Sequence, residues 1–123
     1  MSRTRVLVVD DEQNMRTTLA DILADEGFEV GTAESGERAV KLCRRAEFDT
    51  VLMDVRMPGI DGIEACRRIR EIRPDVRVIL MSAYSVEQLV EDSLREGVVA
   101  FLRKPLDAER LLALLGAPGK TRA

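Results

Sequence analysis

The sequence contains no histidine and no tryptophan, and its only aromatic residues are three phenylalanines and one tyrosine. The absence of histidine excludes a His-ligated metal enzyme and a catalyst that uses imidazole as its acid or base. The two cysteines, Cys43 and Cys66, form no C-x-x-C motif, and both fall on apolar faces of predicted helices. This placement is typical of small core residues in a reducing compartment.

Long apolar runs and an excess of positive charge are also missing. No apolar stretch approaches the ~20 residues that cross a bilayer, and the short run Val6–Val9 after the basic start is too brief for a signal peptide. The formal net charge is −3, whereas a nucleic-acid-binding domain would carry a strongly basic face. We therefore expect a cytoplasmic protein that binds neither a membrane nor, directly, nucleic acid.

What the sequence does contain is a regular alternation of short apolar segments and amphipathic segments. The continuous β-branched run Val6–Val9 is typical of a central strand that is covered on both faces. Capping residues such as Ser35, Asp61 and Ser85 mark the starts of predicted helices, and Glu64, three residues after Asp61, predicts a capping box there. Five strands alternating with five helices predict a single α/β domain, a doubly wound (βα)5 unit with a parallel sheet between two helical layers.

One segment, Val51–Gly62, runs from an apolar strand to a single carboxylate, Asp54, and then breaks at Met57–Gly59. A carboxylate at the end of a buried strand destabilises the fold unless another group pairs with it. The carboxyl ends of parallel strands meet at one edge of the sheet, where ligands bind in this class of fold. Polar side chains end three other predicted strands: Asp10 and Asp11, Ser82, and Lys104.

These strand-end residues have a chemistry in common, although each one alone also fits an ordinary role as a cap, a turn former or an exposed charge. Two carboxylates 4 Å apart repel by about 4 kcal/mol at an effective dielectric constant of 20, so either some are protonated or a cation is bound. Oxygen ligands without histidine or thiolate favour Mg²⁺, with Mn²⁺ as a substitute. A mobile ammonium from Lys104, a hydroxyl from Ser82 and a nucleophilic carboxylate from Asp54 together suit a phosphoryl group.

Taken together, the motifs resemble the receiver domain of two-component response regulators. The resemblance rests on Val-Val-Asp10-Asp11-Glu12, on Asp54 through Gly62, on Met81-Ser82-Ala83 and on Lys104-Pro105. It covers residues 4–115 and leaves residues 116–123 as a C-terminal tail or the start of a linker. It implies a flavodoxin-like sheet with the strand order 2-1-3-4-5.

The resemblance also implies a role for each acidic residue of the site. Asp54 would be the phosphoacceptor. Asp11 and Asp54 would hold Mg²⁺ together with the backbone carbonyl of Arg56, and Asp10 would bind the ion largely through water.

The remaining site residues would contact the phosphoryl group or respond to it. Ser82 and Lys104 would each bind a phosphoryl oxygen, and the Lys104-Pro105 bond is expected to be cis. Ser82 replaces the more frequent Thr, and Phe101 replaces the more frequent Tyr. Because Phe cannot make the hydrogen bond of the Tyr hydroxyl, we expect Ser82 and Phe101 to act as a conformational switch whose active state is held less firmly. Arg56 and Tyr84 would flank the mouth of the site and tune the lifetime of the phosphoryl group.

The function implied is a phosphorylation-dependent switch and not an enzyme that turns over an external substrate. A histidine kinase or phosphotransfer protein would donate the phosphoryl group, and a downstream protein or effector domain would read the fourth helix, fifth strand and fifth helix. The apolar Leu112 permits a monomer or a phosphorylation-linked dimer. The alternatives are an Asp-nucleophile phosphohydrolase, a flavodoxin-like binder of a phosphorylated cofactor, and a phosphorylation-independent interaction module of the same fold.

Overall fold

Strands and helices alternate along the residues that the computed structural model describes, which are 3–83 and 97–116. The strands are β1 (Arg5–Val9), β2 (Glu29–Ala33), β3 (Thr50–Asp54), β4 (Arg77–Ser82) and β5 (Val98–Arg103). The helices of these ranges are α1 (Gln13–Asp25), α2 (Gly36–Arg45), α3 (Gly62–Ile72) and α4 (Ala108–Leu115). The helix predicted after Ser85 and the tail beyond residue 116 lie outside the described residues.

All five strands are parallel, and they lie in the order β2-β1-β3-β4-β5, which confirms the predicted sheet. Strand β1 lies between β2 and β3, so Val8 has Thr32 on one side and Leu52 on the other. Val9 is in register with Met53 of β3. Asp10, which follows Val9, and Asp54, which follows Met53, therefore lie side by side at the carboxyl edge, at the point where the strand order reverses.

Two apolar layers cover the sheet, because successive side chains of a strand point to opposite faces. In β1, Leu7 and Val9 face α2 and α3, whereas Val6 and Val8 face α1 and α4. Each of these side chains is fully buried, which explains why the strand is a continuous apolar run rather than an alternating one.

Both cysteines are buried thiols, as the sequence predicted. Cys43 lies in α2 and Cys66 in α3, and neither forms a disulfide. Burial raises the pKa of the Cys43 thiol to about 11, so the group is protonated and behaves as a small apolar residue at neutral pH.

Side-chain caps start three helices and so fix where the loops at the carboxyl edge end. Ser35 Oγ accepts a hydrogen bond from the Arg38 amide at 3.1 Å, and Asp61 Oδ1 accepts one from the Glu64 amide at 2.8 Å. The reciprocal half of the capping box predicted at Asp61 is wrong. The Glu64 carboxylate pairs instead with Arg67 and Arg68 on the next turn, and these hydrogen bonds lower the pKa of Glu64 to about 2.

Within residues 3–83 and 97–116, none of the helices combines the length and the apolar character that crossing a bilayer requires.

Candidate functional site

Three carboxylates meet where β1 and β3 end. Asp10 follows β1 and Asp54 is the last residue of β3, and the register of Val9 with Met53 brings the two side by side. One carboxylate oxygen from each of Asp10, Asp11 and Asp54 lies within 4.8 Å of the other two. The convergence predicted from the strand ends is therefore confirmed.

The three carboxylates differ in their access to solvent. Asp10 is fully buried, Asp54 is 8% exposed, and Asp11 is exposed. Asp10 Oδ1 accepts a hydrogen bond from the Glu12 amide at 2.9 Å, and the Arg16 guanidinium donates to the Asp10 carbonyl oxygen at 2.7 Å. Hydrogen bonds thus hold both the carboxylate and the backbone of Asp10 in place, while Asp11 and Asp54 are the members of the cluster that solvent reaches.

Lys104 crosses the carboxyl edge from β5 and lies between two of the carboxylates. Its Nζ atom is 2.9 Å from Asp10 Oδ2 and 3.0 Å from Asp54 Oδ2. From the sequence we expected a mobile ammonium, but the side chain is only 14% exposed and two ion pairs hold it in place. The Lys104-Pro105 peptide bond is cis, which confirms the prediction for this position.

The electrostatics of the site follow from one ammonium that serves two buried carboxylates. Burial raises the pKa of Asp54, and the neighbouring Asp10 adds to this effect, while the hydrogen bond and charge of Lys104 oppose it without cancelling it. Burial disfavours the charged form of Lys104, but hydrogen bonds to Asp10 and Asp54 outweigh this and raise its pKa. With Asp11 included, three carboxylates lie close together and Lys104 forms ion pairs with two of them, so the edge carries excess negative charge.

This donor set fits a hard divalent cation. Carboxylate oxygens are the ligands that Mg²⁺ prefers, and the excess negative charge is of the size that such an ion neutralises. The Arg56 amide donates to Asp54 Oδ1 at 3.3 Å, so the backbone at Arg56 lies next to the same carboxylate. The Arg56 side chain is exposed, as expected for a residue at the mouth of the site.

The residues proposed as a switch lie on β4 and β5. Ser82 ends β4 and is 1% exposed, and its carbonyl oxygen accepts a hydrogen bond from the Lys104 amide at 2.8 Å. Phe101 of β5 is half-buried and packs against the apolar layer under α2 and α3. A backbone hydrogen bond therefore joins the end of β4 directly to Lys104. Tyr84 lies outside the described residues, and its role stays a prediction.

The loop from β3 to α3 forms one wall of the site. Gly62 packs so closely on β3 that a Cβ there would overlap the Asp54 carbonyl oxygen, and its amide donates to the Val55 carbonyl at 2.8 Å. Gly59 has a φ of 84°, a conformation that side-chain-bearing residues rarely adopt. An open groove of about 390 Å³ runs beside the loop and is lined by Val55, Arg56, Met57 and Asp61.

Two contributors to this geometry were not identified from the sequence. Arg16 holds the Asp10 carbonyl, but an arginine in the first turns of an amphipathic helix gives no signal of such a contact. Gly62 directly follows the cap residue Asp61, and a glycine at the first position of a helix is the signal that could have revealed the close approach to Asp54.

Comparisons with known proteins agree with this geometry. Residues 6–116 match the family model of the response regulator receiver domain. The chain is 40% identical over 110 residues to a response regulator receiver protein of Anaeromyxobacter sp. strain Fw109-5, a match that covers 89% of this chain and 46% of that protein. It is also 40% identical over 109 residues to the chemotaxis protein CheY of Bacillus subtilis strain 168, covering 88% of this chain and 91% of CheY.

A solved structure extends the comparison to three dimensions. A CheX-CheY-BeF3-Mg²⁺ complex from Borrelia burgdorferi contains a chain with a TM-score of 0.86 and 38% identity, covering 91% of this chain and 86% of that one. This chain thus spans about half the length of the Anaeromyxobacter relative and most of the CheY proteins. Because the family model matches nearly all of residues 3–116, the chain belongs to the response regulator receiver domain family.

Proposed function

We propose that this receiver domain is a phosphoryl-accepting switch of a two-component phosphorelay and not an enzyme with an external substrate. The observation that carries the proposal is the position of Lys104, whose Nζ lies 3.0 Å from Asp54 Oδ2 and 2.9 Å from Asp10 Oδ2. A cation placed against a partly accessible carboxylate suits a group that arrives with negative charge.

Mg²⁺ is the proposed cofactor, with Mn²⁺ as a substitute. Asp11, Asp54 and the Arg56 carbonyl would hold the ion, and Asp10, the fully buried member of the three carboxylates, would bind it largely through water. The ion supplies positive charge that offsets the charge of the phosphoryl oxygens. The Mg²⁺ and BeF3 named for the Borrelia CheY complex support this assignment.

The proposed reaction is an in-line transfer from phosphohistidine. A carboxylate oxygen of Asp54 forms a bond to phosphorus while the bond from phosphorus to the imidazole nitrogen breaks, and the electron pair leaves with that nitrogen. Lys104 pairs with one phosphoryl oxygen and the Ser82 hydroxyl donates to another. Hydrolysis by water later returns Asp54 to a free carboxylate, so the domain assists only its own phosphorylation and dephosphorylation.

The proposed partners are proteins on both sides of the switch. A histidine kinase or phosphotransfer protein donates the phosphoryl group, and a downstream protein or effector domain reads the response. When Ser82 and Lys104 turn to the new anion, Phe101 and the surface of β5 and α4 change with them, together with the helix predicted after Ser85. We place the domain in the cytoplasm, as a monomer or a phosphorylation-linked dimer, and two buried free thiols suit a reducing compartment.

The test is phosphorylation by acetyl phosphate in the presence of Mg²⁺, followed by intact-mass measurement. We expect a gain of one phosphoryl group in the parent, no gain in Asp54→Asn, and a full gain in Asp21→Asn, where the substituted carboxylate is exposed on α1. An unmodified parent, or equal modification of Asp54→Asn, would contradict the proposal. Turnover of a generic phosphate ester would instead favour the phosphohydrolase alternative.

A further inference from the structure

The first turn of α2 contacts the loop that joins β3 to α3. Glu37 Oε2 accepts a hydrogen bond from the Ile60 amide at 3.4 Å. The Ile60 side chain lies against Gly36, where an added Cβ would be 2.8 Å from Ile60 Cγ1. A Cβ at Gly59 would overlap the Glu37 carboxylate. The absence of a side chain at Gly36 and Gly59 therefore allows the loop and the helix to approach this closely.

The contacts of Glu37 and Gly36 with the loop involve its solvent-exposed middle part. Both ends of the loop are fixed, because the Val55 amide donates to the Met81 carbonyl at 2.9 Å and the Val55 carbonyl accepts from the Gly62 amide at 2.8 Å. Between these anchors the chain runs out into solvent, and Pro58 and Gly59 are exposed. The contact of Ile60 with α2 attaches this exposed part of the loop to the rest of the domain.

We infer that Glu37 is a positioning residue for the metal and phosphoryl site, and that it acts through Ile60 and Gly59 on the loop that carries Arg56. This inference rests on the proposed function, since it concerns the proposed Arg56 carbonyl ligand. A loop held on both sides presents that carbonyl in one place. A loop released on its outer side samples several conformations, and binding of the ion must then select one of them.

A second effect of Glu37 must be separated from this role. The residue lies in the first turn of α2, where a carboxylate also interacts favourably with the helix dipole. Loss of that interaction would lower the stability of α2 but would leave the loop and the affinity for Mg²⁺ unchanged. The decisive readouts are therefore the Ile60 amide and the dissociation constant for Mg²⁺, and not the midpoint of unfolding.

The experiment compares the parent with Glu37→Ala, Glu37→Gln and Glu34→Ala, using amide NMR and calorimetric titration with Mg²⁺. Glu34 is the matched control, because it is an exposed carboxylate three residues away for which residues 3–83 and 97–116 provide no hydrogen-bond or ion-pair partner. In Glu37→Ala we expect faster exchange of the Ile60 amide and about threefold weaker Mg²⁺ binding, as loss of one modest hydrogen bond implies. Glu37→Gln keeps an oxygen acceptor and should remain close to the parent, as should Glu34→Ala.

A double-mutant cycle with Gly59→Ala tests the contact itself. The strain of a side chain at a φ of 84° is present in both backgrounds and cancels. The overlap with the carboxylate is present only when Glu37 is there, so Gly59→Ala should weaken Mg²⁺ binding less in the Glu37→Ala background than in the parent.

The possible failures are distinguishable. A parent that binds Mg²⁺ and accepts a phosphoryl group, with Glu37→Ala unchanged in both affinity and Ile60 exchange, overturns the inference alone. A parent that neither binds Mg²⁺ nor accepts a phosphoryl group overturns the proposed function, and the metal-positioning role of Glu37 with it. Equal weakening in Glu37→Ala and Glu34→Ala also contradicts the inference, because it assigns the effect to charge at a distance.

Discussion

Lys104 and Asp54 form an ion pair of 3.0 Å although they come from different strands and lie 50 residues apart in the sequence. The same ammonium also binds Asp10, so neither carboxylate has a cation to itself. The site is therefore organised before a ligand arrives, but with its negative charge only partly compensated. Such a local conflict is expected where function and stability impose different demands on the same residues.

The first prediction concerns the pH dependence of stability. The pKa of Asp54 is raised in the folded protein, so the folded chain binds this proton more tightly than the unfolded chain does. Its contribution to stability is thus largest below the ordinary pKa of 3.8 and falls as the pH rises through the folded-state value. Without Mg²⁺, Asp54→Asn should therefore gain stability relative to the parent between pH 4 and neutrality.

Urea unfolding in EDTA at several pH values would measure this effect, with Asp21→Asn on the exposed face of α1 as the control. If the unfolding free energy of Asp54→Asn changed with pH in parallel with that of the parent over this range, the raised pKa of Asp54 would be contradicted.

The second prediction concerns the shared ammonium. Lys104→Met leaves two adjacent buried carboxylates unpaired, and we expect a loss of about 3 kcal/mol in unfolding free energy at neutral pH without Mg²⁺. Because the pKa of Lys104 is raised, its stabilising effect is complete below the ordinary value of 10.5 and disappears only as the pH rises through the folded-state value above it.

Lys41 provides the control for this substitution, since it is exposed on α2 and has no ion-pair partner among the described residues. Lys41→Met should leave both the free energy of unfolding and the rate of phosphorylation unchanged. A Lys104→Met protein as stable as the parent would show that the two ion pairs contribute nothing.

The third prediction concerns the metal. Mg²⁺ at 100 times its dissociation constant should raise the unfolding free energy of the parent by about 2.7 kcal/mol, and EDTA should remove the gain. Asp11→Asn should bind about tenfold more weakly, which corresponds to about 1.4 kcal/mol less stabilisation at a high fixed Mg²⁺ concentration. Thermal unfolding with and without Mg²⁺ measures both effects. An Asp11→Asn protein with the full Mg²⁺ response would exclude Asp11 as a ligand.

The fourth prediction compares two glycines that each start a helix. A Cβ at Gly62 would meet the Asp54 carbonyl oxygen, which is backbone and cannot move freely, whereas a Cβ at Gly36 would meet side-chain atoms only, Ile60 Cγ1 most closely and then Ala65 Cβ. We expect Gly62→Ala to lower the unfolding free energy by about 2–3 kcal/mol and Gly36→Ala to have a smaller effect. Equal effects in urea unfolding would mean that β3 can shift to admit the methyl group.

The sheet and the convergence of acidic residues could be predicted because they depend on local patterns. The apolar run Val6–Val9 indicates a buried central strand, and parallel strands end at a common edge, so Asp10 and Asp54 must lie close together once their strands are neighbours. The cap at Asp61 was likewise visible in the sequence, because a cap and its amide are only three residues apart.

The details that escaped prediction depend on distances between segments that are remote in the sequence. No pattern within the fifth strand reveals that Lys104 forms ion pairs with two carboxylates at once. The contact of Glu37 with Ile60 spans 23 residues and needs the packing of α2 on α3 to exist first. The capping box at Glu64 failed for a local reason, because arginines on the next turn bind its carboxylate more directly.

The ion pair between Lys104 and Asp10 has a consequence for the order of folding. Its partners are 94 residues apart, so a nascent chain contains Asp54, the proposed phosphoacceptor, long before it contains the cation that completes the site. Contacts of such long range form late, because the entropy of closing the loop must be overcome first. A partly synthesised or partly unfolded chain therefore displays Asp54 without Lys104, and competence for the proposed phosphorylation is tied to completion of the whole sheet.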